Sequence, residues 1–351
     1  MTVRLSKNAE MHEEVNKPIF VVGSPRSGTS ILAWCLGYHP NIFPVPESNW
    51  MGDFAVNLAM SYQVGMARGI FSILSAMSIS RDEFFSHIGR SINCLVLKHR
   101  GDLDRQRLIT AVQRLLKEKG IYLGEMTGEL DAATSAALRQ YGIDEANGLL
   151  YSELVDSLRT AASDSEHKTR WVDQTPEYSF HICGLRKLFP TALFIHIVRD
   201  VDSVVRSMLN FHRIAGTHLV ANEEEAYKYW LRTVRACLKA EEAYGPHVVY
   251  RLRYTTLVEK PESTLRSLLD FLGEPYSAKC LEPLSERINS SNVPPDFKSD
   301  DPVTDRAIVE EARRLSAQIE QTCQPTKHSP AAADQLEAEF GARVNYIAPY
   351  R

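Results

Sequence analysis

The chain has no surplus of positive charge. Its 351 residues carry 40 Lys and Arg against 44 Asp and Glu, a formal net charge of −4 with a pI near 6.3. That balance excludes a whole-molecule electrostatic grip on nucleic acid, which needs a basic excess, so an anionic ligand has to be held by local groups. Paired cysteines are missing too. Cys35, Cys94, Cys183, Cys237, Cys280 and Cys323 form no C-x-x-C pair and no Cys/His ligand spacing. This excludes a disulfide-stapled scaffold and a zinc motif, and it reads as the reduced thiols of a cytoplasmic protein. Long apolar runs are absent as well. Phe54 to Ile79 is mostly apolar, but Gln63 and Arg68 interrupt it short of the ~20 residues a transmembrane span needs. An amphipathic or buried helix is expected there, with peripheral membrane contact through 54–79 open to it. The opening MTVRLSKNAEMHEEVNK is charged throughout and has no apolar core, so it is not read as a secretory signal.

What is present is an ordinary globular composition, 44% hydrophobic and 24% charged, with length enough for one large α/β domain carrying an insertion. Residues 1–17 read as a polar lead, 18–323 as the domain, 52–167 as a helical insertion expected on the acceptor side, and 324–351 as a loosely structured tail. Pro18 to Val22 and Leu193 to Val198 are short, continuous apolar runs that suit buried parallel strands. Val248 to Tyr254 is a third. Helices are expected over Ile31 to His39, Val201 to Phe211, Glu223 to Tyr244 (stopped by Gly245-Pro246), from about Pro261 to Leu272 (stopped by Gly273), and over about Thr304 to Gln321. Helical patterns also fill Arg105 to Lys119 and Gly148 to Ser163. Strands alternating with helices imply a three-layer, P-loop-like α/β fold around a central parallel sheet.

Between the first strand and helix lies Gly23-Ser24-Pro25-Arg26-Ser27-Gly28-Thr29-Ser30. The G-x-x-x-x-G spacing in a strand–loop–helix context makes a cradle of backbone N–H groups for an anion. Thr29-Ser30 stands where a nucleoside triphosphatase would have Lys-Ser or Lys-Thr, so the lysine contact to the β/γ-phosphates is missing. Arg26 can supply the cation as a planar fork. Arg199, at the carboxyl end of the second long strand, offers another anion contact at the edge where open α/β sheets bind ligands. A P-loop kinase using ATP and Mg²⁺ is the enzyme alternative, and a nucleotide-binding protein without chemistry is the other.

VVGSPRSGTSILAWCLGYHPNI resembles the 5′-phosphosulfate loop of sulfotransferases that use 3′-phosphoadenosine 5′-phosphosulfate (PAPS), in the P-R-S-G-T branch that includes the tyrosylprotein sulfotransferases and many bacterial members. IHIVRDVDSVVRSM resembles the family's 3′-phosphate motif, with Arg199 ending a strand and Ser207 eight residues on. RYTTLVEKPESTLRSLLDFLG resembles its third marker, with Tyr254 at the strand end. The resemblance implies PAPS as co-substrate with no metal, held by Ser24, Arg26, Ser27, Gly28, Thr29, Ser30, Arg199, Ser207 and Tyr254. It implies in-line transfer to a hydroxyl of a small molecule, lipid or glycan, with Glu47 as general base and Arg26 stabilising the leaving phosphate.

His39 is the rival base, since cytosolic relatives use a histidine; in His39-Pro40 it is expected to close the first helix instead. One departure stands out. Many relatives have a lysine in W-V-[DE]-K-T-P, whereas Trp171-Val172-Asp173-Gln174-Thr175-Pro176 has Gln174, which brings a hydrogen-bond donor but no charge. Lys168, Arg170 or another cation is then expected to compensate. Ser290 and Ser291 lie where relatives place a serine, although in a polar loop they read first as turn residues.

Overall fold

The computed structural model describes residues 17–118, 120–140, 167–215, 217–285, 293–294, 296–299 and 301–347. Five short strands, β1 (Ile19–Val22), β2 (Ile42–Pro44), β3 (Arg170–Asp173), β4 (Leu193–Val198) and β5 (Val249–Arg253), pair in parallel in the order β2-β3-β1-β4-β5. The register sets Phe20 level with Asp173, Val22 with His196, and Val198 with Arg253. The helices are α1 (Thr29–Gly37), α2 (Met51–Ala67), α3 (Arg81–Lys98), α4 (Arg100–Glu118), α5 (Ala132–Gln140), α6 (Ile182–Leu188), α7 (Val201–Leu209), α8 (Glu223–Tyr244), α9 (Tyr254–Glu259), α10 (Pro261–Leu272), α11 (Arg306–Gln321) and α12 (Pro330–Ile347). Short helical turns cover Gly69–Phe71, Ile73–Ala76, Pro176–Phe180, His212–Ala215 and Ala278–Leu284. Among the described residues, no helix is long and apolar enough to cross a membrane.

The three layers follow from the two-residue period of the strands. Ile19, Val21, Ile195 and Ile197 pack with Leu32, Cys35 and Leu36 of α1 and with Leu265, Leu268 and Leu269 of α10. Phe20 and Phe194 stack at 5.2 Å in an aromatic cluster with Trp171, Tyr178 and Phe189. Both strand faces are thereby dry, and each buried aromatic or branched side chain contributes about 1.5–3 kcal/mol relative to exposure. A further core joins Val198 to Val204, Val205 and Met208 of α7, Tyr227 and Trp230 of α8, and Ala312 and Ile319 of α11.

Local signals set the boundaries. Asp200 caps α7 by accepting from Ser203 N–H at 2.8 Å. Asn222 caps α8, whose first turn is Glu223-Glu224-Glu225, charges that favour a helix N-terminus. Gly273 ends α10 with φ 71°, in the left-handed region.

Two expectations change. The segment read as a loose tail forms α12, which packs on α8, α2 and α6 and buries Phe340 and Val344. The short strands β2 and β3 join the sheet where none had been expected. The chain divides into two units, residues 1–91 with 170–351, which contains the sheet, and residues 92–169. In the second unit a small core of Leu116, Tyr122, Ala137 and Leu138 forms. Buried Gln113 ties Thr134 and Glu129 to Gly128 there. The helical pattern at 148–163 and residues 1–16 lie outside the described residues.

Candidate active site

β1 feeds directly into the Gly23–Ser30 loop. Gly23 has φ 142° and Gly28 φ 103°; a Cβ on Gly28 would stand 2.5 Å from Tyr254 Cδ2, so both conformation and space require glycine. Gly28 caps α1 with no side-chain acceptor on its first-turn amides, the arrangement that suits an incoming anion. Arg26 itself has φ 70°, a strained setting for a residue with a Cβ and one that clusters at functional sites. Its Nε donates to Ser207 Oγ at 3.2 Å, and its guanidinium lies 5.2 Å from the Phe211 ring centroid.

Arg199 follows β4. Its Nη1 donates to the Arg26 carbonyl at 3.4 Å, and its guanidinium lies over the Tyr254 ring at 4.5 Å. The carboxyl ends of β1, β4 and β5 thus bring the loop, Arg199 and Tyr254 together. Burial lowers the pKa of Arg26, with the Arg199 charge adding to the drop and Glu47 opposing it. Two cations held this close favour a bound anion.

These groups open on one cleft of about 870 Å³. Arg26, Gly28, Thr29, Ser30, Glu47, Arg199, Ser207 and Tyr254 all line it. Ser24 and Ser27 do not: both are buried, Ser24 Oγ donates to the Pro25 carbonyl at 3.3 Å, and Ser27 N–H closes the turn onto Ser24 O at 3.1 Å. They shape the loop from behind.

Glu47 reaches the cleft on the loop after β2, and that loop is stitched to the one after β3. Ser48 N–H donates to Thr175 Oγ1 at 3.0 Å, Ser48 Oγ to Asp173 Oδ2 at 3.1 Å, and Met51 N–H to Tyr178 OH at 3.2 Å. Asp173 is fully buried and also accepts from the Thr175 amide and hydroxyl. Burial pushes its pKa up to about 6 against the pull of those hydrogen bonds. Glu47 is raised as well, by desolvation first and then by the charges of Glu177 and Asp173, with Arg26 opposing.

The remaining candidates sit elsewhere. His39 is buried; its Nδ1 accepts from Asn41 N–H at 3.1 Å, which leaves Nε2 to donate to the Pro275 carbonyl at 2.8 Å. Neither ring nitrogen faces the cleft. Gln174 does not line it. Arg170 does not compensate for Gln174, because it begins β3 at the far edge of the sheet and is spent on Glu274 (2.9 Å) and the Lys17 and Leu272 carbonyls (2.7 Å each). Lys168 lies two residues earlier still. Ser290 and Ser291 lie outside the described residues.

Sequence reasoning missed Trp34, Glu177, Ser203 and Arg206 on the cleft wall. The signal was available in helical spacing: Trp34 follows Ser30 by four residues on α1, and Ser203, Arg206 and Ser207 share a face of α7. Among the described residues, no group of three or more His, Cys, Asp or Glu side chains is placed to hold a metal ion.

Residues 97–278 match the model of the family described as the sulfotransferase family. An uncharacterized protein of Aquifex aeolicus (strain VF5) is 28% identical over 269 residues, 76% of this chain and 26% of the relative. The omega-hydroxy-beta-dihydromenaquinone-9 sulfotransferase of Mycobacterium bovis (strain ATCC BAA-935 / AF2122/97) is 34% identical over 107 residues, 28% of each protein. The chain therefore spans about a quarter of the length of these two relatives. A solved structure, the sulfotransferase domain from the Synechococcus PCC 7002 olefin synthase, aligns at 22% identity and a TM-score of 0.40 over 93% of this chain and 94% of that one.

Proposed function

This chain belongs to the sulfotransferase family, and from that premise we propose that it moves a sulfuryl group from PAPS to a hydroxyl of a small-molecule, lipid or glycan acceptor in the cytoplasm. The observation that carries the reading is the meeting of two arginines from different strand ends in one cleft, with Arg26 Nε on Ser207 Oγ and Arg199 Nη1 on the Arg26 carbonyl. A nucleotide with anionic groups on both sides of its ribose needs cations of separate origin that converge. The uncapped start of α1 and the Tyr254 ring beneath Arg199 suit its phosphate and its base.

In this reading the bound donor supplies an activated sulfuryl group. Arg26, Thr29, Ser30 and the backbone at Gly28 hold its 5′ end, in a loop that Ser24 and Ser27 shape; Arg199, Ser207 and Tyr254 hold the remainder. Arg26 offsets the charge that develops on the leaving phosphate. Glu47 accepts the proton of the acceptor hydroxyl, and its raised pKa makes it a stronger base than a solvated carboxylate. The acceptor side is supported by the apolar wall at Phe211 and Leu219 and by the mycobacterial relative, whose name gives a lipid alcohol as its substrate. Within 54–79, Ile70, Phe71, Ile73 and Met77 are 81%, 88%, 73% and 71% exposed, which supports peripheral contact with a membrane.

Glu47→Gln separates binding from chemistry. Transfer of labelled sulfate to a panel of alcohols, phenols, lipids and sugars should fall by about 10²–10⁴-fold. Adenosine 3′,5′-bisphosphate at a hundred times its Kd should still stabilise the variant by about 2.7 kcal/mol in thermal melting. Normal turnover would remove Glu47 as the base. Failure of the bisphosphate to stabilise the wild type would remove the donor assignment, and binding without transfer to any acceptor would favour the protein without chemistry.

A further inference from the structure

A third guanidinium lines the cleft and has no role in the set above. Arg206 lies on α7 between Val205, which is in the core, and Ser207, which touches Arg26. Its Nη2 reaches the Pro294 carbonyl only at 3.5 Å. Its Nε is shut off from solvent and has no hydrogen-bond partner among the described residues. A ligand in the cleft therefore meets the terminal nitrogens of this guanidinium and not its Nε, and a guanidinium presents those donors as a planar fork made for an oxyanion.

Helical spacing puts Ser203, Arg206 and Ser207 on one wall of the cleft, and α7 starts two residues after Arg199. We infer that Arg206 is an anion ligand of this cleft, and that the group it takes is the 3′-phosphate of the nucleotide donor, shared with Arg199 and Ser207. Charge argues for this end. A phosphate monoester carries about −1.5 to −2 at neutral pH, and Arg199, which lies over Tyr254, balances only half of it. Arg206 brings the second positive charge from the same strand–helix unit.

The assignment rests on the donor reading, and its test separates the two. Calorimetric affinities of the wild type, Arg206→Ala and Arg206→Lys are compared for adenosine 3′,5′-bisphosphate and adenosine 5′-monophosphate, which lacks the 3′ group. The wild type should prefer the bisphosphate. Arg206→Ala should weaken the bisphosphate by about 10- to 100-fold with the monophosphate unchanged, and Arg206→Lys should recover part of the loss. An unchanged ratio of the two affinities, or an equal fall in both, overturns the assignment, because a residue that only steadies α7 or the Pro294 segment would not distinguish the ligands. A wild type that binds neither nucleotide overturns the donor reading itself, and the role of Arg206 with it.

Discussion

Glu177 has more leverage on the proposed base than any other single side chain. It lines the cleft with Glu47, and its Oε1 accepts from Tyr229 OH at 2.9 Å, which fixes a negative charge in place. After desolvation, that charge is the largest influence raising the Glu47 pKa. Catalysis by Glu47 needs its ionised form, so activity should fall on the acid side as Glu47 takes up a proton, at a higher pH than without the burial and the neighbouring charges. Glu177→Gln keeps the shape and removes the repulsion, so the acid limb of kcat/KM should move to lower pH. A pH–rate profile of wild type and variant checks this. A limb that stays put, or moves upward, means that Glu47 does not govern it.

At the scale of elements, what could be read in the sequence depended on how each element is stabilised. β1 and β4 were legible because each is a continuous apolar run dry on both faces. β3 was not, because Arg170 and Asp173 at its ends look like surface residues. Partners far away in sequence help to bury both, Glu274 and the Leu272 carbonyl for Arg170, and Ser48 for Asp173, which also accepts from nearby Thr175. β2 has three residues and ends in Pro44, which an edge strand tolerates. In the site, Arg26, Arg199 and Glu47 stand at loop or strand ends and were legible. Arg206 sits beside Ser207 on α7 and joins the site only when helical spacing groups it with Ser203 and Ser207 on the cleft wall. α12 was hidden because its apolar contacts, Phe340 and Val344, are few and are supported by tertiary pairs such as Lys239–Glu339 and Lys187–Glu337 at 2.6 Å.

The turn after α2 is the element with the least internal explanation. Ile70, Phe71, Ile73 and Met77 stand in solvent, and from Phe54 to Arg81 the sequence contains no Asp or Glu, only Arg68 and Arg81. Apolar side chains beside Arg68, in a stretch without acidic residues, suit an anionic lipid surface, with Arg68 reaching up to the headgroups. Wild-type protein should sediment with vesicles containing phosphatidylserine, less so at high salt, and Phe71→Asp should lose most of that binding while its melting temperature stays unchanged. Wild-type protein left wholly in the supernatant would refute membrane contact by this turn.

At the scale of the whole molecule, one buried charge network joins the sheet to its covering helix. His196 of β4 and Glu241 of α8 are completely buried, with Nδ1 to Oε1 at 2.6 Å, and Arg251 of β5 closes on the same carboxylate through Nε at 3.1 and 3.0 Å and Nη2 at 2.5 Å. Burial alone would lower the His196 pKa. Cys237, one helical turn before Glu241, and the Glu241 carboxylate outweigh it and raise the imidazole to about 10. The Glu241 pKa falls despite its own desolvation, through His196 and Arg251. The signs follow from linkage. An imidazole near 6.5 when unfolded and raised when folded contributes stability that is whole below that pH and is lost as pH rises toward 10. The lowered carboxylate contributes above its unfolded pKa and loses its share in acid. Melting temperature should therefore decline from pH 7 to pH 10. Glu241→Gln strands two buried cations, a loss of about 3–5 kcal/mol at neutral pH. The histidine then reverts to its neutral form, so the variant should melt lower and show a flatter profile across the same range. Parallel pH profiles for the two proteins would mean that His196 is neutral in the native state and that the sheet is tied to α8 by Arg251 and Glu241 alone.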